Sequence, residues 1–208
     1  MTSNESAGQA PQKVLNGGDS LPEVFRATAA RLFRERGYAR VTVDDIVRQV
    51  GVTKGAFYHY FDSKGTLLYE LHDEYVSYAV ARVRHVIESE SHPAGQLRAY
   101  VRELFSQIHE YQEYVQVLFD ERRDLPPENV DAVEAKKDML RKLLEDVIAS
   151  GIEDGTFRRT DPKLAALAVS GMALWAYQWY RPSGRLTAEE IADTFAELII
   201  QGLQAGRG

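Results

Sequence analysis

Between Val43 and Lys64 the chain reads VDDIVRQVGVTKGAFYHYFDSK, and few folds accommodate such a run. Two short stretches of helical spacing flank Gly51. Helices of that length are marginal in water and must be held by packing. The second stretch, KGAFYHY, carries small, basic and aromatic polar residues where a core would want aliphatic ones. The segment therefore needs a helical domain that clasps one side of it and leaves the other side outside.

The rest of the chain supplies helices and nothing else. After residue 20 nearly every segment has helical period, and none shows the alternation with turn punctuation that strands need. A first helix begins at Ser20, with Glu23 reaching back in a capping box and Pro22 tolerated in the first turn. Phe25, Ala29, Leu32 and Phe33 form its buried stripe, and Gly37 ends it. Thr42 caps the second helix with Asp45 as partner, and Ile46, Val47 and Val50 face inward. Thr53 caps the third, whose Ala56, Phe57 and Tyr60 turn inward. Asp62 or Ser63 opens a long fourth helix with Leu68, Leu71, Tyr75, Tyr78, Ala79, Val83 and Val86 at helical spacing.

Further helices are expected over 94–109, from Tyr111 to Asp120, and from Pro126/Pro127 to Ser150, with a turn marked by Gly151 and Gly155. One uninterrupted helix is expected from Pro162 to Tyr180. A last one is capped by Thr187 with Glu190. The fold class is all-α.

Composition narrows the chemistry. Cysteine is absent, which removes disulfides, thiolate nucleophiles and thiolate metal sites. The five histidines (His59, His72, His85, His92 and His109) show no metal-ligand spacing. The acid pairs Asp44/Asp45 and Glu189/Glu190 lie at helix starts, where the helix dipole explains them. No glycine-rich phosphate loop follows a strand. The expectation is no enzyme, no metal and no cofactor; an all-helical enzyme is the remaining reading, with no motif behind it. No run is long and apolar enough to span a membrane. Residues 1–19 are polar, without the apolar centre of a signal peptide, and read as a disordered arm on a cytoplasmic protein.

Net charge is −6, unevenly spread: residues 1–64 hold nine Lys/Arg against seven Asp/Glu, and the remainder sixteen against twenty-four. The first third is the part a polyanion would tolerate. A helix entering a major groove needs exposed N-terminal residues that reach base edges and flanking groups that grip phosphates. Lys54 can donate to guanine, Gly55 allows close backbone approach, and Thr53 with the free amides suits a phosphate oxygen. Tyr58 and His59 follow one turn on, and Lys64 adds a charge for an adjacent phosphate. The candidate DNA contacts are Thr42, Asp44, Thr53, Lys54, Gly55, Tyr58, His59, Tyr60 and Lys64.

The run LFRERGYARVTVDDIVRQVGVTKGAFYHYFDSKGTLL, Leu32 to Leu68, resembles the N-terminal domain of the tetracycline-repressor (TetR) family. Thr42, Gly51, Thr53, Gly55, Tyr58, Tyr60, Phe61 and Lys64 match its pattern. Val47 and Val50 depart from it where alanine is frequent, and Asp44 is acidic where a base or phosphate contact can occur. Asp44 either accepts from a cytosine amine or complements its helix N-terminus, and the second is preferred. The resemblance implies a homodimer whose two recognition helices read a near-palindromic double-stranded operator.

The stretch from Pro162 is apolar almost all round and must bury two faces, most simply against a partner subunit. The expected dimer contacts are Leu167, Leu174, Gln178, Arg181, Ile191, Phe195, Leu198 and Ile199. Tyrosines crowd the middle helices, and a mixed apolar and hydroxyl lining suits a small-molecule pocket. The candidates are Tyr78, Tyr100, Leu104, Phe105, Ile108, Tyr114, Leu118, Phe119, Arg122, Met139, Leu143, Met172, Trp175 and Trp179. The segment WYRPSGRLTAEEIADTF resembles a TetR subgroup several of whose members respond to acyl-CoA thioesters. That implies a small hydrophobic effector with phosphates for Arg122, Arg123, Arg181 or Arg185; a lipophilic drug-like molecule controlling efflux is the alternative. The expected organisation is an arm over 1–19, a three-helix helix-turn-helix domain over 20–66, and a helical ligand-binding and dimerisation domain over 67–208.

Overall fold

The computed structural model describes residues 20–204, and the expected arm over 1–19 lies outside them. Ten α-helices follow one another: α1 (Leu21–Arg36), α2 (Val43–Val50), α3 (Lys54–Tyr60), α4 (Lys64–Glu88), α5 (Pro93–Glu110), α6 (Gln112–Asp120), α7 (Pro127–Glu153), α8 (Pro162–Leu174), α9 (Ala176–Trp179) and α10 (Ala188–Leu203). Among the described residues there is no strand, only an isolated antiparallel bridge between Phe157 and Gln204. No described helix is long and apolar enough to cross a membrane.

The helices gather into two compact units: one comprises the described residues up to Tyr78 with Tyr111–Glu134, the other Ala79–Glu110 with the described residues from Ala135. In the first unit, α1 lies against α2 and α6. Its expected stripe, Phe25, Ala29, Leu32 and Phe33, is buried. Phe25 meets Phe57 edge-on at 5.4 Å and Phe61 at 5.8 Å, which binds α1 to the middle and the end of α3. Capping boxes start α1 (Ser20 and Glu23) and α2 (Thr42 and Asp45). Gly51 ends α2 with φ +84°, a left-handed turn in which a side chain would be strained.

In the second unit α5 and α10 run antiparallel, joined by a bidentate Arg102–Asp193 pair and by Arg98–Glu197 at 2.9 Å. Phe105 and Phe195 meet between them at 5.2 Å. Tyr100, Leu104 and Phe105 line the core that α8 closes.

Two expectations fail here. Gly151 makes no turn; α7 continues through it to Glu153, and the turn falls at Gly155. A β-carbon on Gly151 would collide with the Phe157 ring, so this glycine exists for close approach. The second failure is the single helix from Pro162 to Tyr180, which breaks at Trp175. Packing overrides helical continuity there: Ala173 and Ala176 are fully buried, Trp179 reaches Phe195 at 6.2 Å, and Tyr180 bonds His109 at 2.7 Å. Gly151→Ala tests the close approach. The added methyl should lower stability by about 1–3 kcal/mol despite alanine's better helix propensity, read as a fall in Tm; an unchanged Tm would remove Phe157 as the reason for glycine.

Candidate functional site

Seven residues make α3, and Phe57 is the only one buried. Lys54, Gly55, Tyr58 and His59 stand exposed, with Tyr58 at 53%. Tyr60, expected inward, is largely exposed, its ring 4.8 Å from His59 and 6.5 Å from Phe25. Four expected groups thus form one outer face at the start and middle of a helix, and Tyr60 extends it.

Gly55 is informative because the fold does not require it. An added β-carbon would meet only Thr53 Oγ1, at 3.7 Å. Glycine weakens a helix, so its presence at an exposed, uncrowded position points to something outside the chain that approaches closely. Thr53 Oγ1 accepts from the Ala56 amide at 3.4 Å and so caps α3, which leaves the hydroxyl proton free to donate.

Three other expected contacts are engaged within the chain. Thr42 both donates to Asp45 Oδ2 (2.6 Å) and accepts from the Asp45 amide (3.2 Å). The bond from the Thr42 hydroxyl, with that from the Thr42 amide, holds the Asp45 carboxyl below the usual range. Lys64 is held more tightly still. Its ammonium donates to the Tyr38 and Val41 carbonyls at 2.8 and 2.7 Å and lies 3.9 Å from the Tyr38 ring centre. Burial pulls Lys64 below the usual lysine range, with Asp124 and Glu121 opposing. It ties down the turn before α2. Asp44, in the first turn of α2, reaches Lys54 Nζ at 2.9 Å with both side chains about half exposed. Arg48, outside the expected set, adds an exposed guanidinium on α2, 3.2 Å from Asp45. Its place on the polar side of α2, beside Gln49, was the signal for it.

The expected ligand residues divide between the two units. Tyr78, Tyr114, Leu118, Phe119 and Arg122 belong to the first unit and the others to the second. Tyrosine hydroxyls that suggested a lining have internal partners: Tyr100 with Ser170 (3.1 Å) and Tyr78 with Tyr111 (3.4 Å). Burial raises the Tyr100 and Tyr114 hydroxyls above the usual range. Leu104, Phe105 and Ile108 are core, Arg122 pairs with Glu134 at 3.0 Å, and Phe119 and Leu143 are half-buried. Met139, Met172, Trp175 and Trp179 are exposed.

Clefts among the described residues of the second unit include two with charged walls. One, about 640 Å³, runs between α7 and α8, with Met139, Ala166 and Leu167 beside Arg141, Lys142, Lys163, Asp138 and Glu145. The other, about 430 Å³, collects Arg102, Ser106, His109, Tyr180 and Glu189. Of the expected ligand set only Met139 lines either. The α7 charges were visible as positions 138, 141, 142 and 145, one helix face. No described group of three or more His, Asp or Glu is placed to hold a metal.

The expected dimer residues divide similarly. Ile191 and Ile199 are buried inside the protomer, Phe195 lies between Phe105 and Trp179, Leu174 is half-buried, and Arg181 donates to the Gln178 and Tyr180 carbonyls. Leu167, Gln178 and Leu198 are exposed. Leu164 (65%), Leu167, Gly171 and Trp175 (62%) share one face of α8, and a β-carbon on Gly171 would meet nothing within 4 Å.

Residues 25–71 match the family model described as bacterial regulatory proteins, tetR family, and residues 90–203 match that of the tetracyclin repressor-like C-terminal domain. The chain is 30% identical to the HTH-type transcriptional repressor KstR2 of Mycobacterium tuberculosis, over 84% of this chain and 88% of that one. The TetR family transcriptional regulator PfmR of Thermus thermophilus superposes with a TM-score of 0.81 at 32% identity, covering 88% of this chain and 99% of PfmR. AibR, solved with isovaleryl coenzyme A and operator DNA, gives 0.79 at 28%, covering 85% and 96%.

Two variants separate folding from reading. Gly55→Ala should raise stability by roughly 0.5–1 kcal/mol while weakening DNA binding roughly tenfold, about 1.4 kcal/mol; a thermal melt and fluorescence anisotropy on one preparation measure both. Lys64→Ala should destabilise the fold by about 1–3 kcal/mol, since it strands the Val41 carbonyl, while that of Tyr38 keeps the Val41 amide. Its salt dependence of DNA binding should match wild type, where loss of a phosphate contact would flatten it by roughly one charge.

Proposed function

This chain belongs to the TetR family of bacterial transcriptional regulators, and we propose that it is a repressor that grips a near-palindromic operator as a homodimer and lets go when a small hydrophobic acyl-CoA binds. The observation that carries the DNA reading is α3, held by Phe57 alone while Lys54, Gly55, Tyr58 and His59 face outward. A helix built this way has its polar face available to a groove and its apolar face committed to the domain. The DNA-reading domain is placed at residues 20–66 and the effector and dimer functions at 67–208.

Homodimer formation is supported by the exposed apolar face of α8 together with Leu198 of α10. A two-fold protein matches a two-fold site, with one α3 entering each of two successive major grooves. The protein works in the cytoplasm, where its operator lies.

For the effector, the α7–α8 cleft is the seat we favour. Met139, Ala166 and Leu167 suit an acyl group, and Arg141, Lys142 and Lys163 suit phosphates. Arg141 and Lys142 already neighbour Asp138 and Glu145, so phosphates would have to exchange with those carboxylates. The likeness to AibR, whose structure holds both a coenzyme A thioester and DNA, supports the same class here.

Fluorescence anisotropy on DNA from the region upstream of the gene tests the whole reading. We expect two chains per duplex, affinity that falls steeply with salt, and release on titrating acyl-CoA thioesters of increasing chain length. Absence of binding to any upstream fragment overturns the DNA reading. Release by neutral lipophilic compounds but not by thioesters overturns the effector class.

A further inference from the structure

An acid at a DNA-facing surface needs explaining, because a carboxylate near phosphates is repelled. Asp44 is not the capping acid of α2; Asp45 fills that role through Thr42. Nor is Asp44 packed away, since its side chain is 55% exposed. Among the described residues its one specific contact is Lys54 Nζ, 2.9 Å away, at the first position of α3. An acid in the first turn complements the α2 dipole, as Asp45 beside it also does, and the exposed ion pair itself adds little stability. The pair does fix a positive donor and a negative acceptor side by side, across the turn between the two helices.

The major-groove edge of a G·C base pair presents the complementary arrangement. Guanine offers O6 and N7 as acceptors, and the adjacent cytosine N4 amine is a donor. An A·T pair places its donor between two acceptors instead, and C·G reverses the order, so only G·C offers two adjacent acceptors to the lysine followed by a donor to the aspartate. Resting on the DNA-reading role given above, we propose that Asp44 and Lys54 act as one reading unit for a G·C base pair, with Asp44 a specificity-determining residue. Lys54 donates to guanine and Asp44 accepts from the cytosine amine.

The same geometry penalises indiscriminate binding. A phosphate that draws Lys54 toward it loosens the pair and brings the Asp44 carboxylate close to a polyanion. On the G·C pair both partners are replaced at once. Asp44 therefore lowers affinity for random DNA and preserves it for the operator.

Selection from a random-sequence duplex pool tests this with the full-length protein as wild type, Asp44→Ala, Lys54→Met and the double variant. Wild type should enrich duplexes with an invariant G·C pair in each half-site. Replacing that pair by A·T should weaken wild-type binding roughly tenfold. Asp44→Ala should lose most of that discrimination and bind the unselected pool several-fold more tightly, with a salt slope steeper by roughly one. In the Lys54→Met background, Asp44→Ala should change discrimination no further. Thermal melts verify that each variant is folded; Asp44→Asn, isosteric with the native residue, is the second probe and should also raise affinity for the pool. Enrichment by wild type with unchanged base preference in Asp44→Ala overturns the reading unit and leaves DNA binding standing. Equal gains on operator and pool overturn it too, as plain charge repulsion. Wild type that enriches nothing removes the DNA reading itself, and this inference with it.

Discussion

A seven-residue helix cannot hold its own shape, and α3 is kept by one ring. Phe57 is fully buried and meets Phe25 of α1 edge-on, with Phe61 closing the cluster from the end of α3. Aromatic rings meeting this way add to the burial of their faces. Everything outward about α3 follows from that single anchor: with only one side chain committed inside, the remaining positions are free to be chosen for what they meet outside. The glycine at 55 and the neighbouring polar rings are tolerable in a helix that draws its stability from elsewhere.

Polar groups in the first unit divide into those that hold the backbone and those that face out. Thr42, Thr53 and Lys64 all saturate backbone groups, at two helix starts and one turn. Lys54 and Asp44 hold only each other. The difference is one of partner type: carbonyls and amides belong to the fold and cannot be exchanged for a ligand, whereas an exposed side-chain pair can.

Much of this was legible because the signals are local. Capping boxes at Ser20/Glu23, Thr42/Asp45 and Thr187/Glu190 lie within four residues, and all three form. The stripe on α1 follows from helical period alone. What sequence could not convey is tertiary. The carbonyls that occupy Lys64 lie 26 and 23 residues away and have no side-chain signature. Gly151 looked like a turn because its reason, the Phe157 ring, is not written in helical spacing. The tyrosines suggested a chamber by their number, yet Ser170, Tyr111 and His109 meet hydroxyls that were counted as available. The cleft between α7 and α8 is formed by two helices, and the spacing of the α7 charges does not say which helix they face.

The turn between α1 and α2 has a further dependence. Its Tyr38 amide donates to Glu121 at 2.9 Å, and Pro126 comes within 3.1 Å of where a side chain on Gly65 would begin. Both partners are made long after the segment they support. During synthesis, then, the three N-terminal helices emerge with this side uncovered and receive it only when the stretch from Tyr111 onward leaves the ribosome. A nascent chain stalled before that point carries the reading helix without its brace, so the cell obtains a finished head only from chains that have been translated well past it.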